Sequence, residues 1–238
     1  MSLKEFDMKT NLQNNKHLLI YGDRGSGVSK VIKNLITNCA DIPLVVIVSP
    51  ANGEYLKSLI NTNCSEIPNA DDIITEQKIC ILHENNEKIY DNILKRQKSL
   101  IAKNRKNRAE NKELIDTRLL LIIDSFPDMK LIIEKWNSLK QIVFNGRHFH
   151  ITCVMKVFST NCISPILRSN FDIVILSKTD DENKIREYYT YYSSTVSDFS
   201  TFKQLYDEAT NNCNFMIILN RHGSNITYTD KLFTYKLC

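Results

Sequence analysis

Gly22, Gly25, Gly27 and Ser29 are spaced as a chain needs them to cradle a phosphate group. They follow the apolar run Leu18-Leu19-Ile20-Tyr21 and lead into Val31 and Ile32, an order of strand, glycine loop and helix. The backbone N–H groups of such a loop, with the positive end of the helix behind it, bind phosphate without any charged side chain. Gly22-Asp23-Arg24-Gly25-Ser26-Gly27-Val28-Ser29 fits the pattern G-x-x-x-x-G-K-[ST] at every fixed position but one. Val28 takes the place of the lysine that brings a full positive charge to the β- and γ-phosphates. Ser29 keeps the hydroxyl that ligates Mg²⁺, and Lys30, two residues after Val28, points to another helical face. ATP with Mg²⁺ is the cofactor expected on Gly22–Lys30, bound weakly. A plain glycine-rich turn is the alternative, disfavoured by the strand–loop–helix order.

A second element follows the run Leu119-Leu120-Leu121-Ile122-Ile123, which ends in Asp124. An aspartate at a strand tip holds Mg²⁺ directly or through water in phosphoryl-transfer sites, so Ser29 and Asp124 form the expected metal pair. A helix-capping role is the rival reading for an isolated aspartate in this position. The next residue, Ser125, cannot accept a proton at neutral pH as a carboxylate would; Asp128, beyond Pro127, is a conceivable substitute.

Upstream lies a basic stretch containing Lys95, Arg96, Lys98, Lys103, Arg105, Lys106, Arg108 and Lys112. Lys103, Arg105, Lys106 and Arg108 are its candidate contacts to duplex DNA phosphates, which would be independent of sequence and dependent on salt. No aromatic residue interleaves between 95 and 112, so stacking on single strands is not indicated. A solvated helix is the competing reading. His148 and His150 form an H-x-H without a third metal ligand at matching spacing.

The elements that must position these groups alternate. Apolar, β-branched runs at 18–21, 44–48, 79–82, 119–123, 151–157, 173–176 and 215–219 read as strands buried on both faces. Helical patterns at 30–38, 86–111, 129–144 and 181–192 fall between them, which predicts an α/β domain of three layers with a mainly parallel central sheet. The 238 residues suit one domain over 15–238, with residues 1–14 expected to be loose. A net charge of +4 is too mild to prove a nucleic-acid partner. Seven cysteines without a C-x-x-C pair, several inside apolar runs, read as reduced thiols of an intracellular protein. No signal segment and no apolar stretch long enough to span a bilayer is read.

Phe144-Asn145-Gly146-Arg147-His148-Phe149-His150-Ile151, a short N-G-R-H element between a helix and a strand, resembles the genome-packaging ATPases of large double-stranded DNA viruses. These are the poxvirus-type group of the FtsK–HerA superfamily of ring-forming DNA pumps. Ile47-Val48-Ser49-Pro50 and Ile67-Pro68 are similar to its segment after the second strand, and Pro165 with Arg168-Ser169-Asn170 to its proline and R-x-N element. Tyr188–Tyr192, Phe202 through Thr210 and Phe215–Leu219 are similar to its last helices and strand, so the resemblance runs over nearly the whole chain. It implies a P-loop NTPase fold with Walker A and Walker B motifs, and ATP-dependent translocation of double-stranded DNA into capsids. It also implies self-association into a ring and partners among capsid or membrane-associated virion proteins. The expected location is host cytoplasm, viral assembly site or virion. Asp124, Arg147 and Arg168 become the catalytic candidates, the arginines reaching a neighbouring subunit's phosphates; an internal ion pair or carbonyl contact is the alternative for each.

The chain departs from that family at three places. Val28 replaces the loop lysine, Ser125 the acid after Asp124, and Phe158 falls by register where the family senses nucleotide with a glutamine. Impaired hydrolysis is therefore expected. A catalytically inactive pseudo-ATPase serving as a structural or regulatory subunit remains the second reading, and a small-molecule NTP transferase or kinase the third.

Overall fold

A computed structural model of the chain describes residues 3–12, 15–50, 66–72, 74, 76–124, 126, 129–220 and 227–237. The chain groups into two compact units: Met1–Thr37 with Lys156–Cys238, and Asn38–Met155. All seven apolar runs are strands, with ends within one residue of those expected.

In the first unit these are β2 (Leu18–Tyr21), β7 (Ile173–Leu176) and β8 (Phe215–Leu219), joined by β1 (Lys4–Glu5) and β9 (Leu232–Tyr235). Their order is β1-β9-β8-β7-β2. Strand β2 pairs parallel with β7, Leu18 opposite Ile173 and Tyr21 opposite Leu176, whereas β8 runs against both of its neighbours. Every residue of β2, β7 and β8 is buried, as expected of strands covered on both faces. The helices here are α2 (Val28–Asn38), α6 (Pro165–Arg168), α7 (Glu182–Tyr192), α8 (Phe199–Ala209) and the short α1 (Met8–Asn11) and α9 (Tyr228–Lys231). An aromatic cluster joins β2, α7 and α8: Tyr21, on β2, donates to or accepts from the Tyr192 hydroxyl at 2.7 Å, and Tyr188 packs against Tyr21 and Tyr206.

Residues 3–12, part of the segment expected to be loose, are tied down. The Phe6 N–H donates to the Thr234 carbonyl at 2.8 Å, β1 pairs with β9, and the side chains of Phe6 and Met8 are buried. Lys4 and Glu5 face solvent, which is why their strand leaves no apolar pattern.

The second unit holds β3 (Leu44–Val48), β4 (Lys78–Leu82), β5 (Leu119–Asp124) and the first part of β6 (Ile151–Val157), in the order β6-β5-β3-β4. Strand β3 is parallel to both β4 and β5. Its long helix, α3 (Glu87–Ala109), starts on Asn86, whose Oδ1 accepts from the Ile89 N–H at 3.2 Å. Tyr90, Ile93, Leu94, Gln97 and Leu100 are buried in it together with Arg96 of the basic stretch, and no residue after Leu100 in this helix is buried. Gln97 donates to the Thr117 and Phe149 carbonyls at 2.7 and 2.8 Å, fixing the helix to the approach of β5 and to the N-G-R-H turn.

The helix expected over 129–144 is two, α4 (Met129–Lys135) and α5 (Asn137–Asn145). Trp136 between them is extended, at φ −95° and ψ 105°, with its ring 5.9 Å from that of Tyr90; packing of one large side chain overrides a continuous apolar period. Burial pushes the Cys39 thiol up to about 11 and the Cys153 thiol up to about 12. Cys80, by contrast, is disulfide-bonded, so the expectation of reduced thiols does not hold there. No described helix is long and apolar enough to cross a membrane.

Candidate nucleotide site

In the first unit, β2 delivers the chain to Gly22 with neighbours on both sides. The Gly22 N–H donates to the Val157 carbonyl at 3.2 Å, and the Ser177 N–H, just past β7, donates to the Tyr21 carbonyl at 3.0 Å. A Cβ added to Gly22 would lie 2.3 Å from Val28 Cγ2 and 2.9 Å from Ser26 Oγ, so glycine alone fits. The loop then closes on itself: the Ser26 N–H and hydroxyl both donate to the Asp23 carbonyl, at 3.2 and 2.7 Å. Gly25 and Gly27 take left-handed φ of +83° and +82°, which a side chain would strain. Helix α2 begins at Val28, with the Lys30 N–H donating to the Gly27 carbonyl at 2.9 Å. Strand, glycine loop and helix thus stand in the order read from the sequence.

The side chains of the loop are less orthodox. Val28 is only 3% exposed and packs against Gly22, so apolar surface lines the loop where a lysine stem would run. Ser29 is half-buried, while Arg24 and Lys30 are exposed. Asp23 receives two hydrogen bonds from Lys184 Nζ, one to each carboxylate oxygen at 2.8 Å. Lys184 lies 161 residues away in α7, and sequence reasoning missed it; the only available signal was a lysine shortly past the strand that pairs with β2.

Phe158 directly follows Val157, whose carbonyl holds Gly22, and is 43% exposed with Lys156 Nζ 5.7 Å from its ring centroid. An exposed aromatic, without a polar group to read phosphate, stands where the resemblance expects a glutamine. Arg168 is 6% exposed: its Nη1 donates to the Thr160 carbonyl at 3.0 Å and its guanidinium lies 3.7 Å from the Tyr191 ring centroid. That is the internal carbonyl contact weighed above, with a cation–π stack added.

The second unit carries Asp124 at the tip of β5, half-buried, with the Ser49 hydroxyl donating to its Oδ2 at 3.0 Å. Ser49 is fully buried just past β3, whose Val48 lies opposite Ile123, so strand register presents the hydroxyl to the carboxylate. Ser125 and Asp128 lie outside the described residues. Arg147 sits half-buried on a 3₁₀ turn over Gly146–Phe149, and His150 closes that turn at φ +57°. Lys103, Arg105, Lys106 and Arg108 are all exposed on the last turns of α3.

Among the described residues no cluster of three or more His, Cys, Asp or Glu could hold a metal by itself. Mg²⁺ in nucleotide sites takes one or two protein oxygens and completes its shell with phosphates and water. The Ser29 hydroxyl of the first unit and the Asp124 carboxylate of the second are each oxygen donors of that type.

No protein-family profile matches the chain. A protein of Acanthamoeba polyphaga mimivirus is 25% identical over 236 residues, 98% of this chain and 76% of that one. One from Invertebrate iridescent virus 6 is 24% identical over 221 residues, covering 92% and 76% respectively. Among solved structures, the genome packaging NTPase B204 from Sulfolobus turreted icosahedral virus 2, in complex with AMPPCP, superposes with a TM-score of 0.62. The two share 15% identity over 94% of this chain and 98% of that one. The fold is therefore α/β, that of the P-loop NTPases, with mainly parallel strands.

Proposed function

We propose that this chain belongs to the poxvirus-type packaging ATPases of the FtsK–HerA superfamily and binds ATP weakly on the Gly22–Lys30 loop, with hydrolysis impaired. The observation that carries the reading is the loop itself: strand, two left-handed glycines and helix are in place while Val28 fills the lysine position. The backbone N–H groups and the α2 N-terminus supply phosphate binding. Mg²⁺, when bound, neutralises developing charge on the phosphates; Ser29 and Asp124 are the residues that would hold it. Ser49 orients Asp124 through its hydroxyl. Arg147, on its short turn, is the candidate to act on a neighbouring subunit's nucleotide, whereas Arg168 is read as a packing residue. Lys103, Arg105, Lys106 and Arg108 are read as duplex-phosphate contacts, charged and exposed at the end of a helix whose buried stripe stops at Leu100. Support for DNA, a ring and virion partners is the kinship of fold with a viral packaging enzyme. Host cytoplasm, assembly site or virion follows as the location.

A second reading, an inactive P-loop pseudo-ATPase with a structural or regulatory role, is favoured by Val28 and Phe158 together. The discriminating experiment is ATP turnover of the purified chain with and without duplex DNA. The proposal expects turnover two to four orders of magnitude below roughly 10 s⁻¹, the penalty of lacking a general base. Turnover at ordinary rates, abolished in Asp124→Ala, would overturn it; complete silence at saturating ATP selects the second reading.

A further inference from the structure

We propose that Lys184 is the phosphate-binding cation of this loop, standing in for the lysine that Val28 replaced. The inference rests on the nucleotide reading above and adds to it the residue that supplies the charge. Three observations within the first unit carry it. First, β7 lies parallel to β2 with Tyr21 opposite Leu176, so the segments leaving both strands emerge at the same edge, where ligands of α/β sheets bind. Second, that segment is held firmly: the Tyr206 hydroxyl donates to the Ser177 carbonyl at 2.6 Å and accepts from the Thr179 N–H at 3.0 Å. Asp181 then caps α7 by accepting from the Asn183 N–H at 2.9 Å. Third, Lys184, on the first turn of that helix, reaches back to Asp23, the residue after Gly22, with Nζ 2.8 Å from both carboxylate oxygens.

A carboxylate placed in a phosphate loop repels the ligand the loop is built for. Asp23 is therefore best understood as the resting partner of Lys184. Its side chain is 46% exposed and that of Lys184 is 25% exposed, so the pair has solvent at its margin and room to part. An arriving polyphosphate competes with Asp23 for the ammonium group. Nζ exchanges one anionic partner for another, and no proton or covalent bond changes hands. An ammonium is a mobile point charge on a four-carbon stem and needs no fixed geometry for this exchange.

The ordinary alternative is an ion pair that only braces the loop. Bracing requires both partners, so removing either weakens nucleotide binding. A surrogate cation requires only the lysine, and Asp23 is its competitor. Binding of Mg·ATP to the full chain is measured by calorimetry for the unsubstituted protein, Lys184→Met, Lys184→Arg and Asp23→Asn, with the fold of each checked by circular dichroism. Loss of a charged hydrogen bond predicts that Lys184→Met binds about ten- to 150-fold more weakly. Lys184→Arg retains binding within about threefold, and Asp23→Asn binds more tightly than the unsubstituted chain. Unchanged affinity in Lys184→Met, with the unsubstituted chain binding ATP, overturns the surrogate role and leaves the nucleotide reading intact. Weakened binding in Asp23→Asn also overturns it, and does so even if Lys184→Met fails to fold. An unsubstituted chain that binds no ATP at millimolar concentration overturns both.

Discussion

Restoring the missing lysine tests the physical reasoning about the loop from the opposite direction. Val28 is 3% exposed, with Cγ2 against Gly22, so Val28→Lys both removes a packed apolar side chain and offers a charge to phosphate. The first effect costs about 1.5–3 kcal/mol of stability, the burial value of a valine-sized side chain. For a domain of this size that lowers the melting temperature by roughly 3–12 °C in the absence of ligand. The second adds about 1.5–3 kcal/mol to nucleotide binding, a gain of roughly ten- to 150-fold in affinity. The two effects are read separately, by thermal unfolding without nucleotide and by titration with Mg·ATP. Because the introduced lysine and Lys184 would serve the same phosphate, their contributions do not add. Adding Lys184→Met to Val28→Lys is expected to cost less than about threefold, against the larger penalty it carries alone. The reasoning is refuted if Val28→Lys folds normally yet binds ATP within about threefold of the unsubstituted chain. It fails equally if turnover is fully restored, since the position after Asp124 still carries serine and base assistance is still absent.

Neutralising Lys103, Arg105, Lys106 and Arg108 together to glutamine is expected to weaken duplex binding for all sequences alike, with the salt slope flattened by about one unit per contact removed; an unchanged slope at low salt would identify a merely solvated helix end. Arg168→Ala removes a buried guanidinium with a charge-assisted bond and an aromatic stack, so about 2–4 kcal/mol of stability should be lost in urea unfolding, and a normally stable variant with selectively lost activity would restore its catalytic candidacy. Tyr21→Phe leaves the buried Tyr192 hydroxyl without that partner and should cost about 1–3 kcal/mol by the same assay. Stability should fall as pH rises above about 9, where unfolded thiols ionise while the native Cys39 and Cys153, with values raised to about 11 and about 12, hold their protons. The unfolded state then binds fewer protons than the native one, so the slope is negative, and denaturant midpoints that stay level between about pH 8 and about pH 10.5 would contradict it.

The buried strands were legible because strands covered on both faces must be apolar at every position, and Leu44–Val48 or Ile173–Leu176 admit no other reading. Helix ends were legible where a side chain caps them, as at Asn86 and Asp181. What stayed hidden depends on distant packing. Lys4–Glu5 is a strand because β9 offers an edge, and the break at Trp136 follows from a ring packed near Tyr90. The glycine loop could be read because its constraints are local, a matter of glycines at left-handed positions. Lys184 could not, since only the pairing of β2 with β7 brings residue 184 to residue 23. The burial of Arg168 is invisible for a similar reason: its partners, Thr160 and Tyr191, lie on two separate segments.

A crystal structure of the full chain with Mg²⁺ and a slowly hydrolysed ATP analogue such as AMPPCP examines the central claim most directly. The polyphosphate is expected on the backbone of Gly22–Ser29, with Lys184 Nζ moved from Asp23 to within about 3 Å of a phosphate oxygen. Analogue bound elsewhere on the chain, or an undisturbed Lys184–Asp23 pair with no density in the loop at saturating ligand, would contradict it.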